Sequence, residues 1–427
     1  MFSPKSKNAA APCLVAMVLA FFIVSAGAQN AELRTWTSAD GRTIQAKLIR
    51  LENDQAVFEL TDGSSAKVPL SRLIADDQAF ARQNAASARL DAGKRAWPDV
   101  VEISGRAVDV KMVEENPEKR SYVYRSEFFQ FTSQDKLAVS VMKEIARTFE
   151  ATHALVSALP RGIKPTPPKD LGYYQAKFYL NRRNYVLDGA PENSGGVYSS
   201  RDRTFKIPFE SLGLTMRGKT WFKDEGYQNG TIVHEITHQM MHDYLFYLPI
   251  WIIEGTAEYT EMLPFNAGKF LASSHERGLK EYIREANSRG IVPTDIGEAL
   301  KHMQMSQDTW TDLALTSNRE QIRLYYASCL LVYYFSHLDG DGSGANFLKY
   351  LDSIGEARDA WQTFFNNPAV KPNSSGGFTY PTSLKLPTQP RDEAYGIAQL
   401  SILLQGRNAE QLDADVKAGF RKIGIKW

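Results

Sequence analysis

Three of the chain's seven histidines, His234, His238 and His242, fall within nine positions of the run HEITHQMMHDYLFYLPIWIIEGTAEYTE. His234 and His238 are four residues apart, with Glu235 between them. On a helix that spacing is about one turn, so two imidazoles face the same way and can grip one ion while the intervening glutamate takes the proton of an attacking water. Ile232, Ile236 and Met240 repeat the spacing on another face. They predict a helix over residues 231–243 with an apolar side and a metal-ligating side.

A catalytic zinc commonly takes three protein ligands and keeps a fourth position open. His242 is the nearest histidine, but eight residues of helix place it about 12 Å along the axis from His234, too far to share the ion. Glu254 is better placed. Leu248-Pro249 breaks the chain, and residues 250–262 predict a second helix that returns the Glu254 carboxylate to the histidines. Glu258 follows one turn later on the same face, where it either holds the free ring nitrogen of a ligating histidine or faces solvent.

The matching residues, His234-Glu235-x-x-His238-Gln239 and then Leu248-Pro249-x-Trp251-x-x-Glu254-Gly255-x-Ala257-Glu258-Tyr259, resemble the gluzincin metallopeptidases of the peptidase MA-like group. The resemblance implies that His234, His238 and Glu254 bind Zn2+ and that Glu235 activates the water. It covers residues 122–354 in outline and is specific over 234–259. It further implies an oxyanion donor on a later helix, for which LYYASCLLVYYF (324–335) offers Tyr325 rather than Tyr326. The strand GGVYSSRDRTF resembles the edge strand along which such enzymes lay an extended substrate. The spacing from the second histidine to Glu254 is shorter than in thermolysin-like enzymes, and no Gly-x-Met-Glu-Asn stretch occurs, so an endopeptidase or an exopeptidase of another type is expected. Two other classes compete: a non-catalytic binding protein on an inactive zincin scaffold, and a two-histidine, one-carboxylate iron oxygenase. The first would not require Glu235, and the helical His-Glu-x-x-His placement weighs against the second.

The elements that must position these residues are legible upstream. Leu137, Val141, Ile145 and Phe149 form one stripe of a helix expected over 135–159, and strands are expected over 122–132, 175–180 and 195–209. Residues 366–390 are rich in Pro, Ser and Gly and read as a loop, with a helical segment from about residue 392 onward.

Nearer the N-terminus, short strands alternate with the turns Asp40-Gly41, Asn53-Asp54 and Asp62-Gly63, a pattern of a small barrel. RTWTSADGRTIQAKLIRL, VFELTDGSSAKVPLSRL and DDQAFA resemble the Sla1 homology domain 1 (SHD1), an SH3-like protein-binding module. That resemblance implies a protein partner for the barrel, or else a spacer role. Residues 84–97 read as a polar connector.

Lys5 and Lys7, the apolar run 13–24 and the small residues 25–28 have the order of a secretory signal. The run is short for a membrane span. Cleavage would leave Cys329 as the single cysteine, so a disulfide-free protein that is secreted or periplasmic is expected. With 50 basic against 49 acidic residues the net charge is +1, which gives no electrostatic footprint for nucleic acid. The organisation expected is α+β: a signal peptide (1–28), an SH3-like barrel (31–84), a zincin-like peptidase domain with a largely helical C-terminal half (98–365), and a loop with a helical tail (366–427). The expected partner is a peptide or protein substrate.

Overall fold

The computed structural model describes residues 33–52, 55–61, 65–78, 80–81, 96–224, 226–227, 230–373, 377–388 and 392–427. The expected signal peptide, most of the connector and the Asn53-Asp54 and Asp62-Gly63 turns lie outside them. The chain divides into two compact units, Met1–Ala86 and Ser87–Trp427. Both α-helices and β-strands build it, and the C-terminal half is helical. Among the described residues no helix is long and apolar enough to cross a membrane.

The first unit is an antiparallel meander of β1 (Arg34–Thr37), β2 (Thr43–Glu52), β3 (Gln55–Leu60) and β4 (Ser65–Pro69). Gly41 turns β1 into β2 with a φ of 84°, a left-handed value that suits a residue without Cβ. Trp36 fills the centre, tilted against Phe58 at 4.7 Å and edge-on to Phe80 at 5.7 Å, with its indole donating to the Ala46 carbonyl at 3.0 Å. Asp77 accepts from the Thr37 amide at 2.6 Å and from Arg34 at 2.7 Å, which fastens the chain after β4 to β1.

The second unit opens with β5 (Val101–Glu102), then β6 (Lys111–Asn116), β7 (Ser121–Arg125), β8 (Phe129–Ser133), helix α1 (Val139–Ala158), β9 (Tyr174–Tyr179), α2 (Arg182–Leu187), β10 (Val197–Ser199) and β11 (Thr204–Pro208). Six of these strands form one sheet in the order β10-β11-β9-β8-β7-β6, with β8, β9 and β11 parallel and both ends antiparallel. Two expected single strands are hairpins. Residues 122–132 split into β7 and β8 because the buried Glu150 carboxylate accepts from the Ser126 hydroxyl (2.6 Å) and the Phe128 amide (3.1 Å) and holds a turn there. Residues 195–209 split into β10 and β11 around Arg203, whose φ is 53°. Helix α1 starts four residues later than expected, since the Leu137 backbone is engaged by the Tyr124 hydroxyl. It lays Ile145 and Phe149 on the sheet, Phe149 edge-on to Phe129 and Phe131.

After the hairpin β12 (Leu214–Arg217) and β13 (Thr220–Lys223) come α3 (Gly230–Met240) and α4 (Ile250–Met262). A small sheet follows, in which β14 (Phe265–Asn266) and β15 (Lys269–Phe270) join β5. Helices α5 (His275–Ser288), α6 (Ala299–Met303), α7 (Gln307–Ala314), α8 (Asn318–His337) and α9 (Ala345–Phe365) complete the helical layer. The expected loop contains a short pair, β16 (Lys371–Pro372) with β17 (Phe378–Thr379). The tail forms α10 (Glu393–Ala398), α11 (Ser401–Leu404) and α12 (Ala409–Lys422), whose Leu403, Leu412, Val416 and Phe420 enter the same hydrophobic core as α4 and α8.

Candidate metal centre

Helix α3 buries Ile232, Val233, Ile236 and Met240, and that apolar side fixes where its other side points. The Gln239 amide nitrogen pins the helix to the sheet by donating to the carbonyls of Gln175 (3.0 Å) and Arg203 (3.3 Å). The helix ends at Met240, short of the expected residue 243, and His242 belongs to a separate tight turn. Pro249 stands immediately before α4 in extended conformation, where its missing N–H costs no helical bond.

Helix α4 can lie close to α8 because of Gly255. A Cβ there would collide with the Ser328 carbonyl and approach Val332 at 2.7 Å. Glu254, its neighbour on α4, reaches the histidines of α3.

The histidine Nε2 atoms of His234 and His238 are 3.1 Å apart. Glu254 Oε2 lies 3.4 Å from the first and 3.3 Å from the second. In a tetrahedral site with ligands about 2.0–2.1 Å from the ion, ligand atoms stand about 3.3–3.4 Å from one another. The triangle therefore has the edge length such an ion imposes.

Hydrogen bonding within the trio is incomplete. Among the described residues Glu254 Oε2 is enclosed and has no hydrogen-bond partner. On its other side, His234 Nδ1 lies 3.2 Å from Glu261 Oε2 and 3.4 Å from Glu258 Oε1, so its proton belongs there and its Nε2 lone pair faces the trio. A cation satisfies lone pairs that these groups cannot satisfy for each other, and two imidazoles with one carboxylate suit zinc. The three side chains are 10, 12 and 13 % exposed, enclosed but still reachable from solvent.

The electrostatics have the same sense. Burial opposes ionisation of Glu254, but the adjacent His238 and His234 outweigh it and bring the carboxyl down to about 2. Burial likewise opposes protonation of His234, and the carboxylates of Glu254, Glu261 and Glu258 reverse it, so they draw positive charge to the ring: a second proton on Nε2, or a metal cation that takes that proton's place on the lone pair. Glu235 is held above the usual carboxylate range by burial, against the pull of the two histidines and a hydrogen bond from the Tyr198 amide. Glu258 is raised by burial and then by the charge of Glu261, and it accepts from the Tyr282 hydroxyl at 2.6 Å.

Glu235 Oε2 accepts the Tyr198 backbone N–H of edge strand β10 at 2.7 Å. His242 does not join the trio; its Nδ1 pairs with the Tyr198 hydroxyl at 2.8 Å. Tyr325, on α8, brings its ring to 6.0 Å from the His234 ring, with Trp310 of α7 edge-on behind it at 4.9 Å. Burial, then the charges of Glu254, Glu235 and Glu258, raise the Tyr325 phenol, so it stays a proton donor. Its neighbour Tyr326 turns away and stacks on Tyr282.

Glu261 was not anticipated, although Glu254, Glu258 and Glu261 stand at i, i+4 and i+7 of one helix and share a face. Three carboxylates on one side of an otherwise buried helix were the available signal. Trp310 carried no such signal, because its place depends on how α7 packs.

Compared with models of known protein families, the chain matches none, and no curated protein matches its sequence.

Proposed function

We propose that the chain is a zinc-dependent metallopeptidase of the gluzincin, peptidase MA-like kind, hydrolysing peptide bonds. The observation that carries this reading is the triangle of His234, His238 and Glu254, with edges of 3.1 to 3.4 Å, and Glu235 one residue from its first corner. His234, His238 and Glu254 would hold the zinc, which when bound would supply polarisation of the scissile carbonyl and acidification of the attacking water. Glu235 takes the water proton and delivers it to the departing amine, and burial, by raising its affinity for that proton, suits it to both halves of the task. The Tyr198 amide fixes one carboxylate oxygen of Glu235 and leaves the other for the water. Tyr325, neutral and beside His234, is the donor proposed for the oxyanion. Edge strand β10 offers backbone groups next to Glu235 for an extended peptide.

The first unit is proposed as an SHD1-like, SH3-like barrel that binds a protein partner or acts as a spacer, and the whole chain as secreted or periplasmic after removal of residues 1–28. A non-catalytic binding role for the second unit is disfavoured by Glu235, which a purely structural metal site does not need.

Metal analysis of the purified chain, with digestion of a mixed peptide library in the presence and absence of a chelator, tests the reading. We expect about one zinc per chain and cleavage that chelator abolishes and zinc restores. Iron in place of zinc, no bound metal, or cleavage indifferent to chelator would overturn it.

A further inference from the structure

Arg161, in the chain just beyond α1, is 2 % exposed, and its Nε, Nη1 and Nη2 are all enclosed without a hydrogen-bond partner among the described residues. Three rings surround it. Its charge centre lies 4.3 Å from the Tyr259 ring centre, 5.8 Å from Trp97 and 6.0 Å from Phe347. Rings attract a guanidinium through its faces, but its N–H bonds lie in its plane and still require acceptors.

Among the described residues no neighbouring group supplies a negative charge. The ionisable groups that could offer Arg161 a negative charge are Tyr259 and Cys329, and burial keeps both protonated. The Tyr259 hydroxyl is engaged with His337 Nε2 at 2.8 Å, and His337 is stacked on His275 with ring centres 3.9 Å apart. Burial, then His275 and Arg161, hold His337 well below its ordinary value, so it remains neutral. Burial brings Arg161 itself down only to about 10, so it is charged at neutral pH. A buried cation with neither counter-charge nor acceptor is a costly arrangement that proteins ordinarily relieve with a bound partner.

The geometry points to a buried anion site at Arg161, taking one monovalent ion of chloride size in the plane of the guanidinium within the Trp97, Tyr259 and Phe347 enclosure. A single uncompensated positive charge calls for a single negative one. Water supplies acceptors but leaves the charge uncancelled. Tyr259 belongs to α4, five residues after Glu254, so occupancy of the site braces the helix that also carries that glutamate. The inference is independent of the peptidase reading.

Two measurements on the full chain test it. Crystals grown in bromide should show an anomalous scatterer within about 3.5 Å of an Arg161 nitrogen. In solution, replacing gluconate by chloride at constant ionic strength should raise the melting midpoint saturably, by about 2 °C at tenfold excess over the dissociation constant. Arg161→Met should abolish that response. Ordered water with no bromide, or an equal chloride response in parent and variant, overturns the site. A bromide peak seen only at molar concentration, without a saturable response in solution, marks an adventitious ion only and also overturns it. The bromide experiment uses the parent protein, so it decides even where Arg161→Met fails to fold.

Discussion

The Glu235 carboxylate accepts the Tyr198 backbone N–H at 2.7 Å, which joins the acid between the two histidines to the edge strand of the sheet. A glutamine at 235 keeps an oxygen for that amide and so preserves the anchoring, but it cannot take a proton. We predict that Glu235→Gln holds zinc and loses about a hundredfold or more in turnover. Glu254→Ala should instead lose zinc. Stoichiometric metal analysis alongside peptide-cleavage rates distinguishes the two, and undiminished cleavage by Glu235→Gln would remove it from the mechanism.

His234 Nδ1 lies closer to Glu261 than to Glu258. Removing the Glu261 charge while keeping its shape should weaken zinc binding by about 10- to 100-fold, with turnover at saturating zinc reduced less. Competition against a chromophoric chelator measures the affinity of Glu261→Gln. Equal affinity in parent and variant would assign the orienting role to Glu258.

Gly255 permits the contact between α4 and α8, and its replacement forces two helix backbones apart. Gly255→Ala should destabilise the chain by about 1–3 kcal/mol or more, read as a lower urea midpoint with unchanged slope. A midpoint equal to the parent's would show that the helices can separate without cost.

His302, on α6, is buried against the Ser328 hydroxyl of α8 at 2.9 Å, and burial followed by the charge of Arg323 brings it down to about 3. Unfolded, it protonates near 6.5. Its contribution to stability is complete above that value and is lost as pH falls from about 6.5 toward 3, at up to about 1.4 kcal/mol per pH unit. Denaturation midpoints of parent and His302→Gln across this range should converge as the pH is lowered. Parallel curves would contradict the assignment.

Every residue proposed for the metal centre lies in the second compact unit. A chain beginning at residue 96 should therefore retain zinc and cleave a short peptide at close to the parent's rate. A folded truncation without zinc would show that the first unit contributes to the site.

The two helices of the centre were legible because their signals are local: four-residue apolar spacing in α3, and a proline before α4. The convergence of His234, His238 and Glu254 followed from spacing across one short connection. The split of residues 122–132 was missed although a signal was present, since the apolar phase moves from Tyr122 and Tyr124 to Phe129 and Phe131 across the polar Arg125-Ser126-Glu127; the Glu150 carboxylate that holds the turn comes from the helix that follows and leaves no mark in the strand itself. β6 escaped for a different reason: Lys111–Asn116 is exposed along nearly its whole length, so burial imposes no alternation on it. Arg161 likewise looks like any surface arginine until the three rings from distant parts of the chain close around it.

Residues 407–427 cover one end of α8. Phe420 stacks on Tyr333 at 6.1 Å, Trp427 stacks on Phe420 at 5.3 Å, and Arg407 binds Asp339 at 2.7 Å and the Tyr334 hydroxyl at 3.1 Å. Residues 407–427 are synthesised after α8, so the flank of α8 that carries Tyr333 and Tyr334 lies uncovered until they have emerged and packed. That flank is the place where an interrupted fold of this unit would offer aromatic surface to other chains.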